Sequence, residues 1–560
     1  MKWLLVRLGP PARAVRGVVG NRHLRRAELA FLGFNVAEPA TWVAILVYAF
    51  DRGGTAETGI VTLALLAPAA IVAPVAAAFG DRRRRDQVVA FGYTSQAVTT
   101  GATGAAMLAD APALVVYAIA TVAMATYTTG RPGHHSLLPN LARSPDELAA
   151  ANSVSSLAEG VGGTAGTASV SVLLTVASVG VSYVVMAAII AAAALLAFSV
   201  RTEHVATEPG ADQERRRPWS FATDALAGLV AITRVRGAAV LLVVAAAVAL
   251  VWGTFDVLVV TLAFDRLGIG AGGVGALHTA IAVGVLLGAA GSVALVGRSR
   301  IVPALVAGAV VLGASIAALG FGESVALAAV ATGVTGAATT VLDVAGRTLL
   351  QRVVDDSLLT RVFGAIESLW MIGFGVGGPI AAALVSLLDL RAAFVVTSAV
   401  VPVIALLGYR ALARLERQAA VPARQLELVS RLAMFAPLPR TDLERVARQL
   451  DRVDVASGTE VIRQGDVGDR FYVVEEGSFE VVADGRVLST MTEGDHFGEI
   501  ALLHDVLRTA TVRAATDGVV WALDQEEFLA TVTGMPQART LAHEISAERL
   551  RAGSWRRGTG

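Results

Sequence analysis

The sequence predicts an all-α membrane domain of twelve transmembrane helices in two six-helix halves, followed by a cytoplasmic α+β domain built on a β-roll or jelly roll. Three observations predict it. Apolar stretches of about 20 residues, each long enough for one bilayer crossing, recur through the first three-quarters of the chain. A short pattern repeats at an offset of 214 residues. Beyond residue 450 the pattern becomes apolar–polar alternation punctuated by glycine.

The chain of 560 residues is 55% hydrophobic, with a mean hydropathy of +0.63, too apolar for a soluble protein of this length. Cysteine is absent, which excludes disulfides, thiol catalysis and cysteine-ligated metal. Formal net charge is zero, so bulk charge gives no argument for nucleic acid. Lys2 is the only lysine among many Ala, Gly and Arg, a usage expected of a bacterial chain. Residues 1–27 are basic. Trp3–Leu8 is too short and too interrupted for a secretory signal, leaving an amphipathic segment on the inner membrane surface or a basic tail.

Spans are expected near 28–50, 57–80, 87–109, 111–130, 149–176, 178–199, 238–264, 272–297, 301–320, 323–345, 359–388 and 391–411. They group as an N-terminal half, 28–199, a charged linker, 200–237, and a C-terminal half, 238–411, followed by a connector, 412–425. Arginine placement sets the topology. Arg82–Arg85, Arg131, Arg143, Arg201, Arg215–Arg217, Arg298, Arg300, Arg347, Arg352 and Arg361 fall on one set of connections, together with both flanks. The alternate connections carry only Arg52, Arg266 and Arg391. The positive-inside rule then puts both termini in the cytoplasm of a cell-membrane protein.

The repeat pairs Ala49-Phe50-Asp51-Arg52 with Ala263-Phe264-Asp265-Arg266, and Ser155-Ser156-Leu157 echoes Glu367-Ser368-Leu369. Two six-span halves in parallel repeat are the build of major facilitator transporters. Gly80-Asp81-Arg82-Arg83-Arg84-Arg85 resembles the signature between spans 2 and 3 of that superfamily, with Ala77 where a glycine is usual. Arg131-Pro132, Leu137-Leu138-Pro139, Glu147-Leu148 and Ala151-Asn152 are similar to loop 4–5 of its siderophore- and macrolide-exporting branch. The resemblance implies a cytoplasmic gate at Asp81, Arg82 and Arg85, and spans 1 and 7 facing a central cavity.

An ionisable residue at mid-membrane costs on the order of 2.5–3.5 kcal/mol, so each needs a reason. Glu38 and Trp42 stand one turn apart in span 1; at the 214 offset stand Trp252 and Asp256 in span 7, with acid and indole exchanged. Glu38 and Asp256 are read as proton or other coupling-ion sites, with Trp42 and Trp252 as walls for an organic substrate, since an indole face attracts cations. Counted back from Asp51, Glu38 lies roughly 20 Å deep; the alternative is that both acids sit near the outer interface, where charge is cheap. Pro39 favours a kink beside Glu38. Glu159, Asp343 and Glu367 are weaker pathway candidates, and Asp343 can simply pair with Arg347 one turn on. His278 either relays protons or packs. His134-His135 reads as cytoplasmic loop with no third ligand, so no metal site is expected.

Residues 426–551 form the second domain, followed by a tail, 552–560. Leu426–Leu450 reads as short helices broken at Pro437 and Pro439, Val453–Leu523 as strands, and Glu526–Arg551 as helix. Within it, Phe497-Gly498-Glu499-Ile500-Ala501-Leu502 followed by Arg508-Thr509-Ala510-Thr511-Val512 resembles the phosphate-binding cassette of cyclic-nucleotide-binding domains, as in catabolite activator proteins, protein kinase A regulatory subunits and cyclic-nucleotide-gated channels. The resemblance implies that Gly498, Glu499, Ala501, Arg508 and Thr509 contact the ligand, with Phe497 and Ile500 counted in the same nucleotide-binding set. The chemistry agrees: free N–H groups and a guanidinium suit a cyclic phosphodiester, and a carboxylate suits a ribose 2′-OH. Leu507 stands where the family often has proline. The expected ligand is cAMP, with cGMP the alternative.

The expected function is a secondary active transporter, a proton-coupled exporter of a small organic or amphiphilic molecule, regulated by cAMP. Alternatives are a non-transporting cAMP-sensing receptor or scaffold, and a cyclic-nucleotide exporter with feedback. Expected partners are the lipid bilayer, the nucleotide, an organic substrate and protons. Related sensors often pair, which allows a homodimer. With no nucleophile–base constellation, P-loop or helix-turn-helix visible, neither an enzyme nor a nucleic-acid binder is expected.

Overall fold

The computed structural model describes residues 18–80, 84–128, 130–143, 145–200, 238–292, 300–354, 356–418, 423–438, 440–534 and 536–557. It divides into two compact units, Met1–Gln418 and Ala419–Gly560. Asp81, Arg82 and most of the 200–237 linker lie outside the described residues.

The first unit is helical. α1 (Arg22–Gly80) is bent at Gly53–Gly54 and contains the first two predicted stretches. Gly54 has a φ of +61°, which ends one helix and starts the next. The kink expected at Pro39 is not where the backbone leaves helical geometry; the two glycines take that role. There follow α2 (Arg85–Leu108), α3 (Ala113–Tyr127), α4 (Gly130–Leu141), α5 (Pro145–Val176) and α6 (Val179–Phe198). α7 (Ala238–Thr261) runs into a π-turn at Leu262–Arg266. α8 (Gly270–Ser292), α9 (Val302–Phe321), α10 (Val325–Val353), α11 (Asp356–Leu387) and α12 (Leu390–Gln418) complete the unit. Among the described residues, nine helices are long and apolar enough to cross a membrane. The predicted stretches at 87–109 and 149–176 are helical as α2 and α5 but fall outside that set.

The halves repeat in their packing. α1 lies on α5 as α7 lies on α11, and α2 lies on α6 as α9 lies on α12. α1 also meets α11, and α5 meets α8, which joins the halves. Equivalent repeat residues touch: Phe50 and Phe264 stack with centroids 4.7 Å apart, beside a Thr55–Thr261 hydroxyl contact at 2.9 Å. Small residues make such close crossings possible. A Cβ at Gly253 would lie 1.9 Å from the Phe374 carbonyl oxygen on α11. Gly253→Val is therefore expected to force α7 from α11 and destabilise the unit by about 1–3 kcal/mol, read as a lower thermal midpoint in detergent. An unchanged midpoint would refute the close crossing.

The second unit begins with α13 (Ala423–Arg431), a 3₁₀ turn at Ala433–Phe435 and α14 (Arg440–Gln449). The strands are β1 (Asp451–Val455), β2 (Glu460–Ile462), β3 (Arg470–Glu476), β4 (Phe479–Ala483), β5 (Arg486–Met491) and β6 (His496–Phe497), then β7 (Thr511–Ala514) and β8 (Gly518–Asp524). They form two antiparallel four-stranded sheets, ordered β1-β8-β3-β6 and β2-β7-β4-β5. Period-two alternation divides β3 between two cores. Tyr472 and Val474 enter the interior of the roll with Phe479, Phe497 and Val520. Phe471 and Val473 pack on the helices with Met434, Phe435 and Phe528. A six-residue helix, α15 (Glu499–His504), interrupts the strands, and α16 (Gln525–Thr533) and α17 (Pro536–Arg557) close the unit. Helix α17 thus extends past the expected limit at Arg551.

Candidate functional site

The cassette is assembled by the short strand β6. Phe497 pairs with Tyr472 across the ladder and stacks on its ring at 5.1 Å, so its side chain belongs to the core of the roll. That anchor fixes the next residue. Gly498 has a φ of +94° and turns the chain from strand into α15. A Cβ there would lie 2.8 Å from both the Arg470 carbonyl and Arg508 Nη1. Conformation and space both demand glycine.

Arg508 is buried, only 3% exposed. Its Nη1 donates to the Gly498 carbonyl at 2.9 Å, and its Nη2 donates to the Arg470 carbonyl at 2.8 Å and to Asp469 Oδ1 at 3.3 Å. The Arg508 main chain is held by Asp466 and Gly465 on either side. A buried guanidinium fixed beside the first turn of a helix is a ready anion site.

Glu499 is buried to 1% exposure. Its Oε1 accepts from Arg549 Nη1 at 2.7 Å, and Arg549 also donates to the His496 carbonyl at 2.8 Å. Glu499 Oε2 has no hydrogen-bond partner among the described residues. A buried carboxylate oxygen without a donor is costly, and a hydroxyl donor placed there would relieve it. Ala501 is buried, with room only for a small neighbour: a Cβ on Gly468 would sit 2.8 Å from Ala501 Cβ. Ile500 and Thr509 are half-buried. Arg549 has no counterpart in the sequence reading. It comes from α17, fifty residues from Glu499, and only the tertiary fold brings the two together. His504 Nε2 meets Ser546 Oγ at 2.9 Å, a second tie between α15 and α17.

Burial and the nearby Arg549 push the His496 imidazole down from 6.5 to about 3. Folded His496 refuses the proton that the unfolded chain accepts below 6.5. Its contribution to stability is complete above that pH and declines as pH falls from 6.5 towards 3, at about 1.4 kcal/mol per unit. The sensor unit should lose roughly 2 kcal/mol between pH 6.5 and 5. Hydrogen exchange over β3 and β6 checks this, and His496→Asn should flatten the dependence.

In the helical unit, Trp42 Nε1–H donates to Asp256 Oδ2 at 2.8 Å, joining the two halves. The mirror pair does not form. Trp252 Nε1–H donates to Thr339 Oγ1 at 3.2 Å, and Glu38 meets Arg131 at 2.7 Å. Arg131 also donates to Asn35 at 3.1 Å and lies 3.9 Å from Glu159, which is 3.5 Å from His135. Arg131, itself exposed, thus lies among Glu38, Asn35 and Glu159. His134, expected in a loop, lies buried on α4, stacked on Phe31 at 3.8 Å and 2.9 Å from Ser155 Oγ. Ser155 in turn donates to buried Glu28 at 2.8 Å. Asp343 pairs with Arg347 at 2.8 Å, and Arg347 reaches Glu367 at 3.5 Å. Arg85 donates to the Ser136 carbonyl at 2.8 Å, and Arg84 pairs with Asp86. Among the described residues no cluster of three or more His, Asp or Glu could hold a metal ion.

A multi-helix membrane body joined to an eight-stranded sensor roll is the class that fold and site define. The Major Facilitator Superfamily model matches residues 29–303, and the Cyclic nucleotide-binding domain model matches residues 452–533. The chain therefore joins a major facilitator segment to a cyclic nucleotide-binding domain, as a multi-pass membrane protein. Over 102 residues it is 39% identical to the cAMP-dependent protein kinase regulatory subunit of Schizosaccharomyces pombe, covering 18% of this chain and 25% of that protein. Over 106 residues it is 38% identical to the type II regulatory subunit of Drosophila melanogaster, covering 19% and 28%. It spans about a quarter of the length of these relatives. A solved neighbour is the catabolite activator protein of Thermus thermophilus, with 26% identity, TM-score 0.20, and coverage of 22% of this chain and 60% of that one.

Proposed function

We propose that this protein is a secondary active transporter of the cell membrane, a proton-coupled exporter of a small organic or amphiphilic molecule, whose cycle is biased by cAMP, or less favourably cGMP, bound at residues 426–551. The body crosses the bilayer twelve times, in halves 28–199 and 238–411, with both termini in the cytoplasm. Glu38, Trp42, Trp252 and Asp256 line the path of substrate and proton, with Glu159 and Glu367 as lesser contributors. Asp81, Arg82 and Arg85 form the cytoplasmic gate.

One chain holds both a buried Arg508–Glu499 cassette and an acid–indole bond between repeated halves, and that coexistence carries the proposal. The cassette offers a guanidinium for the cyclic phosphate and an unpartnered Glu499 Oε2 for a ribose hydroxyl. The similarity to cAMP-dependent kinase regulatory subunits favours cAMP. Regulation requires that the nucleotide bind one transport state better than the other, and a coupling of about 1–3 kcal/mol suffices.

The test is proton-driven ethidium flux in proteoliposomes of the full chain, with and without cAMP, for wild type and Arg508→Ala. A cAMP-dependent change in flux that disappears in the variant is expected. Equal flux in all four conditions removes the regulatory claim. Proton-independent behaviour across a broad panel of cationic and amphiphilic compounds removes the transport claim.

A further inference from the structure

His278 on α8 and Asp256 on α7 are both nearly fully buried, at 8% and 5% exposure. His278 Nδ1 lies 2.9 Å from the Val274 carbonyl, one turn back. A carbonyl oxygen only accepts, so Nδ1 carries hydrogen, and in the neutral ring Nε2 then presents a lone pair. That Nε2 lies 3.5 Å from Asp256 Oδ1 and has no hydrogen-bond partner among the described residues. A lone pair facing an ionised carboxylate in a buried site is repulsive. One added proton, on either Nε2 or the carboxyl, turns the contact into attraction.

The other carboxylate oxygen is tied to the opposite half of the molecule, where Trp42 Nε1–H donates to Oδ2 at 2.8 Å. Around α7 pack α1, α8, α10, α11 and α12. Among the described residues of these helices, His278 is the titratable group at ion-pair distance from Asp256.

We propose that Asp256 and His278 share one exchangeable proton, and that Trp42 couples its position to the contact between the halves. With the indole N–H in place, the charged carboxylate is favoured and the proton resides on His278 Nε2. When the halves part and Trp42 withdraws, the carboxylate loses that donor and takes the proton, leaving neutral Asp256 and neutral His278. The proton moves between two atoms without change in the pair's total charge until it leaves for bulk water. By linkage, whatever separates Trp42 from Asp256 tightens the hold on the proton, and releasing the proton draws the indole back. The proposal deepens the transport reading: it rests on that reading for the proton's use in a cycle, but not for the proton's existence.

The test is pH-induced infrared difference spectroscopy on the purified full chain, with no transport substrate. One carboxyl transition should titrate in the wild type and vanish in Asp256→Asn, where the His278 imidazole then titrates at a different pH. His278→Gln should shift the carboxyl midpoint by about one pH unit or more. Trp42→Phe should raise it, because the ionised carboxylate loses a donor. Should Asp256→Asn fail to fold, the His278→Gln shift decides. A wild-type spectrum indistinguishable from both variants overturns the shared proton, and an unmoved midpoint in Trp42→Phe overturns the coupling. Proton-driven ethidium flux with no titrating pair refutes this proposal alone; a titrating pair without proton-driven flux refutes the transport reading alone.

Discussion

Arg508→Ala is expected to weaken cAMP binding by roughly 100-fold or more, about 2.8 kcal/mol. The guanidinium supplies the only buried positive charge within the cassette turn, and charge-assisted hydrogen bonds to a phosphate are about twice as strong as neutral ones. Arg508→Lys should recover part of the affinity, because an ammonium keeps the charge but loses the planar fork that grips two oxygens. Arg508 also holds the Gly498 and Arg470 carbonyls, so Arg508→Ala should lower the sensor's thermal stability as well. Glu499→Gln separates the two effects: it keeps the shape at the helix start and exchanges a charged acceptor for a neutral amide. It should cost about tenfold in affinity, near 1.4 kcal/mol. Titration of the full chain with a fluorescent cAMP analogue reads all three. Wild-type affinity in Arg508→Ala would place the phosphate elsewhere.

Glu38→Gln is expected to cut proton-driven ethidium flux about tenfold or more, because the proposed path then lacks an acid able to carry a proton. Its partner makes a sharper expectation. Arg131→Ala strips the cation from Glu38, 2.7 Å away, and leaves that carboxylate without its counter-charge, whereas Glu159 keeps His135 at 3.5 Å. The double variant Glu38→Gln with Arg131→Gln should therefore be more stable in detergent than Arg131→Ala alone, while remaining inactive. A double variant no more stable than the single one would mean that the ion pair has no energetic weight in the helical unit.

Local pattern carried most of the architecture. Apolar runs separated by arginine turns foretold a mostly helical body, because a bilayer crossing demands length and hydropathy that little else does; among the described residues nine helices meet that demand. The cassette was legible because its chemistry is contiguous: Gly498, Glu499 and Arg508 lie within one turn and its return. The pairing of Arg131 was not legible, because charge counting places an arginine near a helix end without saying which acid it meets, and Glu38 lies on a different helix. The same limit applies to His134, which hydropathy alone assigned to a loop.

Composition, periodicity and the 214-residue echo by themselves determined that this protein is a repeated helical body with a glycine-punctuated roll. Tertiary structure alone decided the partners. Trp42 found Asp256 rather than its own neighbour, Arg131 took Glu38, and Arg549 arrived at Glu499 from the last helix. The physical reason is that backbone conformation follows from nearest neighbours in sequence. A buried charge is settled by whatever donor or counter-ion packing brings within about 3 Å, and that distance is blind to sequence separation.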